Sequence, residues 1–223
     1  MFVVRLVLPE KWKKGINMNI ISLNNGKKLN IEKKETYRYL GYHFDGEVPL
    51  NDELEKMVNE LTEKLKDVIT PRCAYEIYGF ETDGKVCRLL GNGTEDEILR
   101  IESVKLSAHL KDCNQAILFA ATIGPGADTM IRRYSGRSSV KPAILQAVGA
   151  AAIEAYADEV TEQIKETYPR LRMRFSPGYG DFSLEHQKDF FRLLSLEKNL
   201  GISLNQALLM TPTKSITAII GVI

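Results

Sequence analysis

The stretch AILFAAT, from Ala116 to Thr122, is a continuous apolar run of strand length. A run of this kind next to turn residues is typical of a buried strand. Gly124-Pro125-Gly126 follows almost at once and predicts a turn from the strand into a helix. We therefore place a central buried strand here and expect the other elements to pack around it.

A long helix is predicted downstream of this strand, with Pro142 in its first turn and its end near Tyr168. Its first half is rich in Ala and Gly, which lets a helix lie close to a sheet or to another backbone. Its later turns carry polar residues, among them Asp158 and Glu162. We expect the N-terminal half of this helix to be buried and its C-terminal half to face solvent.

Upstream of the strand, apolar residues recur at three- and four-residue steps from Asn51 and predict an amphipathic helix that ends before Pro71. Two apolar segments around Thr82-Asp83-Gly84, at 75–80 and 85–90, predict a β-hairpin. Residues 94–106 mix helical and alternating patterns, and their structure stays open.

The two ends of the chain also carry short patterned segments. Residues 1 to about 50 are predicted to be an N-terminal β arm or extension, with strands at 20–23 and 37–44. Near the other end, 184–194 predicts a helix, and 208–210 and 216–222 predict two closing strands around Thr211-Pro212-Thr213. We expect one α+β domain spanning residues 1–223.

Composition excludes several classes of function. Lys and Arg number 30 against 29 Asp and Glu, so the broad basic surface of a nucleic-acid-binding protein is not expected. The apolar opening of the chain is too short to cross a bilayer, and three separated cysteines are typical of idle thiols in a reducing compartment. We expect a soluble cytoplasmic protein that contacts neither nucleic acid nor membrane.

Local motifs do not identify a catalytic group or a metal site. Gly124-Pro125-Gly126 lacks the remaining residues of a phosphate-binding loop, and we expect it to be a simple turn. His43, His109 and His186 lie far apart and outside any zinc-binding spacing. No G-x-S-x-G motif indicates a nucleophilic serine.

The segment RFSPGY, from Arg174 to Tyr179, combines three features that suit one class of ligand. Arg174 can bind a carboxylate through two hydrogen bonds, Gly178 can expose backbone groups, and Tyr179 offers a flat ring. A ligand with a carboxylate, an amine and an adenine needs these three features. The alternative is a tight turn with a surface arginine and a packed tyrosine.

This segment resembles the R-x-x-x-G-Y signature of the activation domain of cobalamin-dependent methionine synthase. The resemblance extends to Glu154-Ala155-Tyr156-Ala157 upstream, to Leu196-Glu197-Lys198 and Ile202-Ser203-Leu204 downstream, and to the pattern from Met210 to Ser215. It covers the chain from about residue 143 to its end. Three of the family's ligand contacts differ here: the early acidic residue has no counterpart that we can place, an acidic contact shortly before the arginine aligns near Tyr168, and the late tyrosine falls after Ile223.

The resemblance implies a fold, a ligand and partners. The fold is a mainly antiparallel twisted sheet with flanking helices, and the residues that contact S-adenosylmethionine are Arg174, Ser176, Gly178 and Tyr179. The function is reductive methylation of cobalamin carried by a methionine synthase or another corrinoid protein, with a flavodoxin-type electron donor. Two alternatives remain: a non-enzymatic module that senses S-adenosylmethionine or docks on a corrinoid protein, and a fold that has lost its ligand.

Overall fold

The computed structural model describes residues 18–22, 26–42, 52–91, 94–136 and 140–223. Six strands form one sheet in which every neighbouring pair is antiparallel. These strands are β1 (Asn19–Ser22), β2 (Arg72–Thr82), β3 (Val86–Leu90), β4 (Glu97–Glu102), β5 (Gln115–Thr122) and β8 (Ser215–Val222). The strand order is β4-β3-β2-β5-β8, and β1 pairs with the same edge of β2 as β3 does.

The helices cover both faces of this sheet and thereby define two cores. The first face carries α1 (Lys33–Tyr39), α2 (Asp52–Lys66), α4 (Gly126–Ser135) and the long α5 (Val140–Lys165). The second face carries α3 (Val104–His109), α6 (Gln187–Leu193) and α7 (Leu196–Leu200). The predicted α+β class, with an antiparallel sheet and flanking helices, is confirmed.

Strand β5 is the buried central strand that its apolar run predicts. Successive side chains of a strand point to opposite faces. Ile117, Phe119 and Ala121 pack into the first core, whereas Leu118 and Ala120 pack into the second. Because helices cover both faces, both sets of positions must be apolar, which explains a continuous apolar run in an antiparallel sheet.

Close backbone approach explains the glycine at the start of α4. A Cβ on Gly126 would lie 2.0 Å from the carbonyl oxygen of Val68, which follows the C-terminal end of α2 by two residues. The Gly124-Pro125-Gly126 segment is therefore the strand-to-helix turn that we predicted, and packing against residue 68 accounts for Gly126.

The structure corrects one sequence prediction and places two others. The extended segment predicted at 37–44 is wrong where it is described, because Lys33–Tyr39 forms α1 against α5. The closing strand predicted at 216–222 is β8 of the main sheet. The one predicted at 208–210 is the shorter β7 (Met210–Thr211), which pairs with β6 (Ser203–Leu204) in a separate ribbon. Predictions for residues 1–17, 23–25 and 43–51 lie outside the described residues.

The open region 94–106 contains a strand followed by a helix. Strand β4 ends at Glu102, and Ser103 then caps α3 by accepting a hydrogen bond from the Leu106 amide at 3.0 Å. Ser103 is nearly fully buried, so this cap is shielded from water. The capping spacing of Thr94 and Glu97 does not start a helix.

Replacing Ser103 with Ala is expected to lower the free energy of unfolding by about 1 kcal/mol, because the first turn of α3 loses its side-chain acceptor. Urea denaturation followed by circular dichroism measures this change. Ser203→Ala is the matched control, since Ser203 is exposed and its hydroxyl makes only a 3.5 Å contact with the Thr211 carbonyl. Equal loss in the two variants would contradict the capping role.

Candidate functional site

The predicted ligand-binding segment runs along the edge of the main sheet, beside β8. The amide of Phe175 donates to the carbonyl of Ile219 at 2.9 Å, and the amide of Ile219 donates back at 2.8 Å. The amide of Arg172 donates to the carbonyl of Gly221 at 2.9 Å. The segment therefore begins extended, as predicted, and its position at this point is fixed by the sheet.

Arg174 lies against α5 in a cluster of acceptors. Its guanidinium donates through Nη2 to Glu154 at 2.8 Å and through Nη1 to Asp158 at 2.8 Å. Nη1 also donates to the Thr161 hydroxyl at 3.2 Å. The Arg174 side chain is only 18% exposed, so the ion pairs are partly shielded from solvent.

Helical spacing brings the three acceptors together. Residues 154, 158 and 161 stand at positions i, i+4 and i+7 of α5, which places them on one face of the helix. The cluster holds one cation and two carboxylates, so its formal charge is −1. Such an arrangement can bind a group that presents both a carboxylate and an ammonium.

A compact turn follows Arg174. Gly178 has a φ of +95°, a conformation that glycine adopts without strain, and its amide donates to the carbonyl of Phe182 at 2.7 Å. The amide of Tyr179 donates to the carbonyl of Ser176 at 3.1 Å. The predicted exposure of this turn is found, since Gly178 and Tyr179 are exposed while Ser176 is half-buried.

Aromatic rings pack beneath the turn on the second face of the sheet. The ring of Phe175 lies 6.2 Å from that of Tyr179 and 6.3 Å from that of Phe182, centroid to centroid. His109 and His186 pack at the two ends of this group, against Phe175 and Phe182. Tyr179 keeps 64% of its surface exposed, so its ring is available to a ligand.

The structure shows the surroundings of the predicted contact residues, which the sequence did not predict. The four predicted contacts, Arg174, Ser176, Gly178 and Tyr179, lie in one segment, with Arg174 on an ion-pair cluster and Tyr179 on an aromatic one. Asp158, which we expected on the solvated part of the helix, binds Arg174. Thr161 was not predicted to contact Arg174. The spacing of acceptors on α5 was the available signal, but it could not indicate which cation they bind.

Other features stand apart from this segment. A shallow groove is lined by residues 79, 90, 91, 94, 95, 114 and 115, none of which belongs to the segment. Within the described residues, no three His, Cys, Asp or Glu side chains are grouped so as to hold a metal ion. In the same part of the chain, no helix is both long and apolar enough to cross a membrane.

Comparison with solved structures gives a specific match for the fold. The chain is similar to the crystal structure of the MetH reactivation domain bound to AdoHcy, with a TM-score of 0.72. The match covers 94% of this chain and 79% of that one, at 15% sequence identity. No family model matches the sequence, and no curated protein matches it significantly.

The class of structure is thus an α+β sheet covered by helices on both faces, and the particular fold is that of the MetH reactivation domain. The fold implied by the sequence resemblance is confirmed. AdoHcy is bound to that solved domain, and the match establishes the fold of this chain.

Proposed function

We propose that this chain binds S-adenosylmethionine at Arg174 and supports the reductive methylation of cobalamin carried by a methionine synthase or another corrinoid protein. One observation carries the proposal: the chain that holds the Arg174 guanidinium against two carboxylates continues, four residues later, into the exposed Gly178-Tyr179 turn. The fold in which they lie is that of a domain solved with AdoHcy.

The charges of the cluster match the amino-acid end of the ligand. S-adenosylmethionine presents a carboxylate and an ammonium close together, near a positively charged sulfur. Arg174 suits the carboxylate, because a guanidinium binds carboxylates through two parallel hydrogen bonds. Glu154 and Asp158 suit the ammonium, and their negative charge also favours the nearby sulfonium.

Ligand binding requires Arg174 to exchange one of its present partners. Asp158 is the easier partner to release, because its side chain is 69% exposed whereas that of Glu154 is 40% exposed. A released Asp158 keeps its hydration, so the exchange costs little. We expect the ligand carboxylate to replace Asp158 at Nη1 and to form its second hydrogen bond with the other hydrogen of Nη2, while Glu154 stays in place.

The turn supplies the remaining contacts in this proposal. The backbone at Gly178 is exposed and has no side chain over it, so a ligand can approach it closely. The exposed ring of Tyr179 offers a face on which an adenine can stack. Together with Ser176, these are the residues that the sequence resemblance assigned.

The proposed role of the chain is positioning. S-adenosylmethionine would supply the methyl group and leave as S-adenosylhomocysteine. The partner's cobalamin, reduced from cob(II) to cob(I) by one electron from a flavodoxin-type donor, would accept the methyl group. The residues at 174–179 would orient the ligand, so that proximity accounts for the rate. This role requires no general acid or base from the chain.

A reconstituted assay tests the function. The purified chain is mixed with a methionine synthase that lacks its own activation domain, a reductant and S-adenosylmethionine labelled in the methyl group. We expect label on cobalamin only when the chain is present, and Arg174→Ala should reduce the rate about tenfold or more. Measurable ligand binding without label transfer would favour the sensing or docking module instead.

A further inference from the structure

The turn at 176–180 holds its shape through its own hydrogen bonds, but these do not fix its place on the protein. The amides of Gly178, Tyr179 and Phe182 all donate to carbonyls between Ser176 and Phe182. A turn bonded only to itself can still move as a unit. What places it must come from contacts outside the turn.

Helix α3 holds the start of the segment. His109, the last residue of α3, donates through Nε2 to the carbonyl of Met173 at 2.8 Å. The His109 ring also packs on Phe175, with 5.1 Å between the ring centroids. Arg174 lies between these two contacted residues, so His109 restrains the backbone on both sides of it.

The same helix holds the end of the segment. The carboxylate of Asp181 accepts hydrogen bonds from the amides of Val104 at 2.8 Å and Lys105 at 3.2 Å, and from the Ser103 hydroxyl. Ser103 in turn accepts from Leu106, so three orphan amides of the α3 N-terminus are satisfied. The Ser103 hydroxyl and the helix amides hold the pKa of Asp181 below its usual value.

Close packing leaves little room between the turn and α3. A Cβ on Gly180 would lie 2.4 Å from Cδ of Lys105, and Gly180 has a φ of +60°. Gly180 therefore lies against the Lys105 side chain in the first turn of α3, next to the amides that bond Asp181.

We propose that α3 positions the ligand-binding segment, with Asp181 and His109 as positioning residues that act on ligand affinity through Arg174 and the 176–180 turn. The proposal rests on the proposed S-adenosylmethionine function for its effect on affinity. Its physical basis is preorganisation: a segment already fixed in its bound place loses less entropy when the ligand binds.

Amide hydrogen exchange of the ligand-free protein tests the restraint without any ligand. Asp181→Ala should speed exchange of peptides covering 176–182 and 104–106, and Asp181→Asn, which keeps one acceptor oxygen, should have a smaller effect. His109→Phe, which keeps a ring but loses the donor, should speed exchange near Met173, whereas His109→Gln should not. Asp96→Asn is the control, because Asp96 is exposed and lies outside the segment.

Titration of S-adenosylmethionine into the same variants tests the effect on affinity. We expect the dissociation constant to rise about tenfold in Asp181→Ala and to stay unchanged in Asp96→Asn. Unchanged exchange rates in Asp181→Ala and His109→Phe would show that these residues do not restrain the segment. Exchange that is equally faster in β5 would show a general loss of stability and would also contradict the restraint.

Faster exchange in the segment with an unchanged dissociation constant would contradict the positioning role. Absence of binding by the wild type would instead overturn the proposed function, while the exchange data would still decide whether α3 restrains the segment.

Discussion

Replacing Arg174 with Ala is expected to weaken S-adenosylmethionine binding by about 30-fold or more, as measured by isothermal titration calorimetry. The variant removes a partly buried, charge-assisted contact to the ligand carboxylate, and such contacts contribute about 2 kcal/mol. Glu154 and Asp158 remain available to the ligand ammonium in this variant, so the expected loss of affinity comes from the carboxylate contact.

Two further variants sharpen this prediction. Arg174→Lys keeps the charge but cannot form the paired hydrogen bonds, so we expect an intermediate affinity. Arg170→Ala removes an exposed arginine four residues earlier, and we expect wild-type affinity. Equal affinity of the wild type and Arg174→Ala would contradict the assignment of Arg174 to the ligand.

The loss of binding in Arg174→Ala should not come from unfolding. Asp158 is mostly exposed and can turn to water when its partner is removed, and the backbone of the segment remains bonded to β8. Thermal melting of the variant, compared with Arg170→Ala, checks this point. A collapse of the melting transition would mean that Arg174 serves mainly to hold the fold.

Replacing Phe119 with Ala is expected to lower the free energy of unfolding by about 3–5 kcal/mol. Phe119 is fully buried in β5, where it pairs with Tyr75 of β2 and Ala218 of β8, so its removal leaves a cavity at the centre of the sheet. Urea denaturation measures the change. Leu209→Ala is the control, because Leu209 is 62% exposed and its truncation should have little effect.

The sequence predicts the centre of this fold well because local pattern and tertiary environment agree there. The apolar run of β5 is dictated by burial on both faces, and the Ala- and Gly-rich half of α5 fits its burial in the first core. The hairpin at Thr82-Asp83-Gly84 is formed by local turn chemistry, since the Asp83 carboxylate accepts hydrogen bonds from the amides of Lys85 and Val86. Such signals need no knowledge of distant residues.

The elements that the sequence mispredicts or leaves open depend on distant contacts. Helix α1 is short, lacks a side-chain cap and packs on α5, more than a hundred residues later, so its local pattern could not establish it. Helix α3 is completed by Asp181, which follows Ser103 by 78 residues. No window of local sequence contains both partners.

In the candidate site, too, one part can be predicted from local sequence and another depends on distant contacts. The Arg174–Tyr179 turn is recognisable because Pro and Gly mark it and the family signature lies within it. The partners of Arg174 lie 20 and 16 residues earlier on α5, where acidic residues are also the ordinary composition of a solvated helix face. Only the fold shows that these carboxylates face Arg174.

Nuclear magnetic resonance of the ¹⁵N-labelled chain, titrated with S-adenosylmethionine, tests the location of the site most directly. We expect saturable shift changes at the amides of Gly178 and Tyr179 and at the Arg174 side chain, with none in β4. Saturable changes confined to the groove around Gly91 and Asn114, or no changes at all, would contradict it.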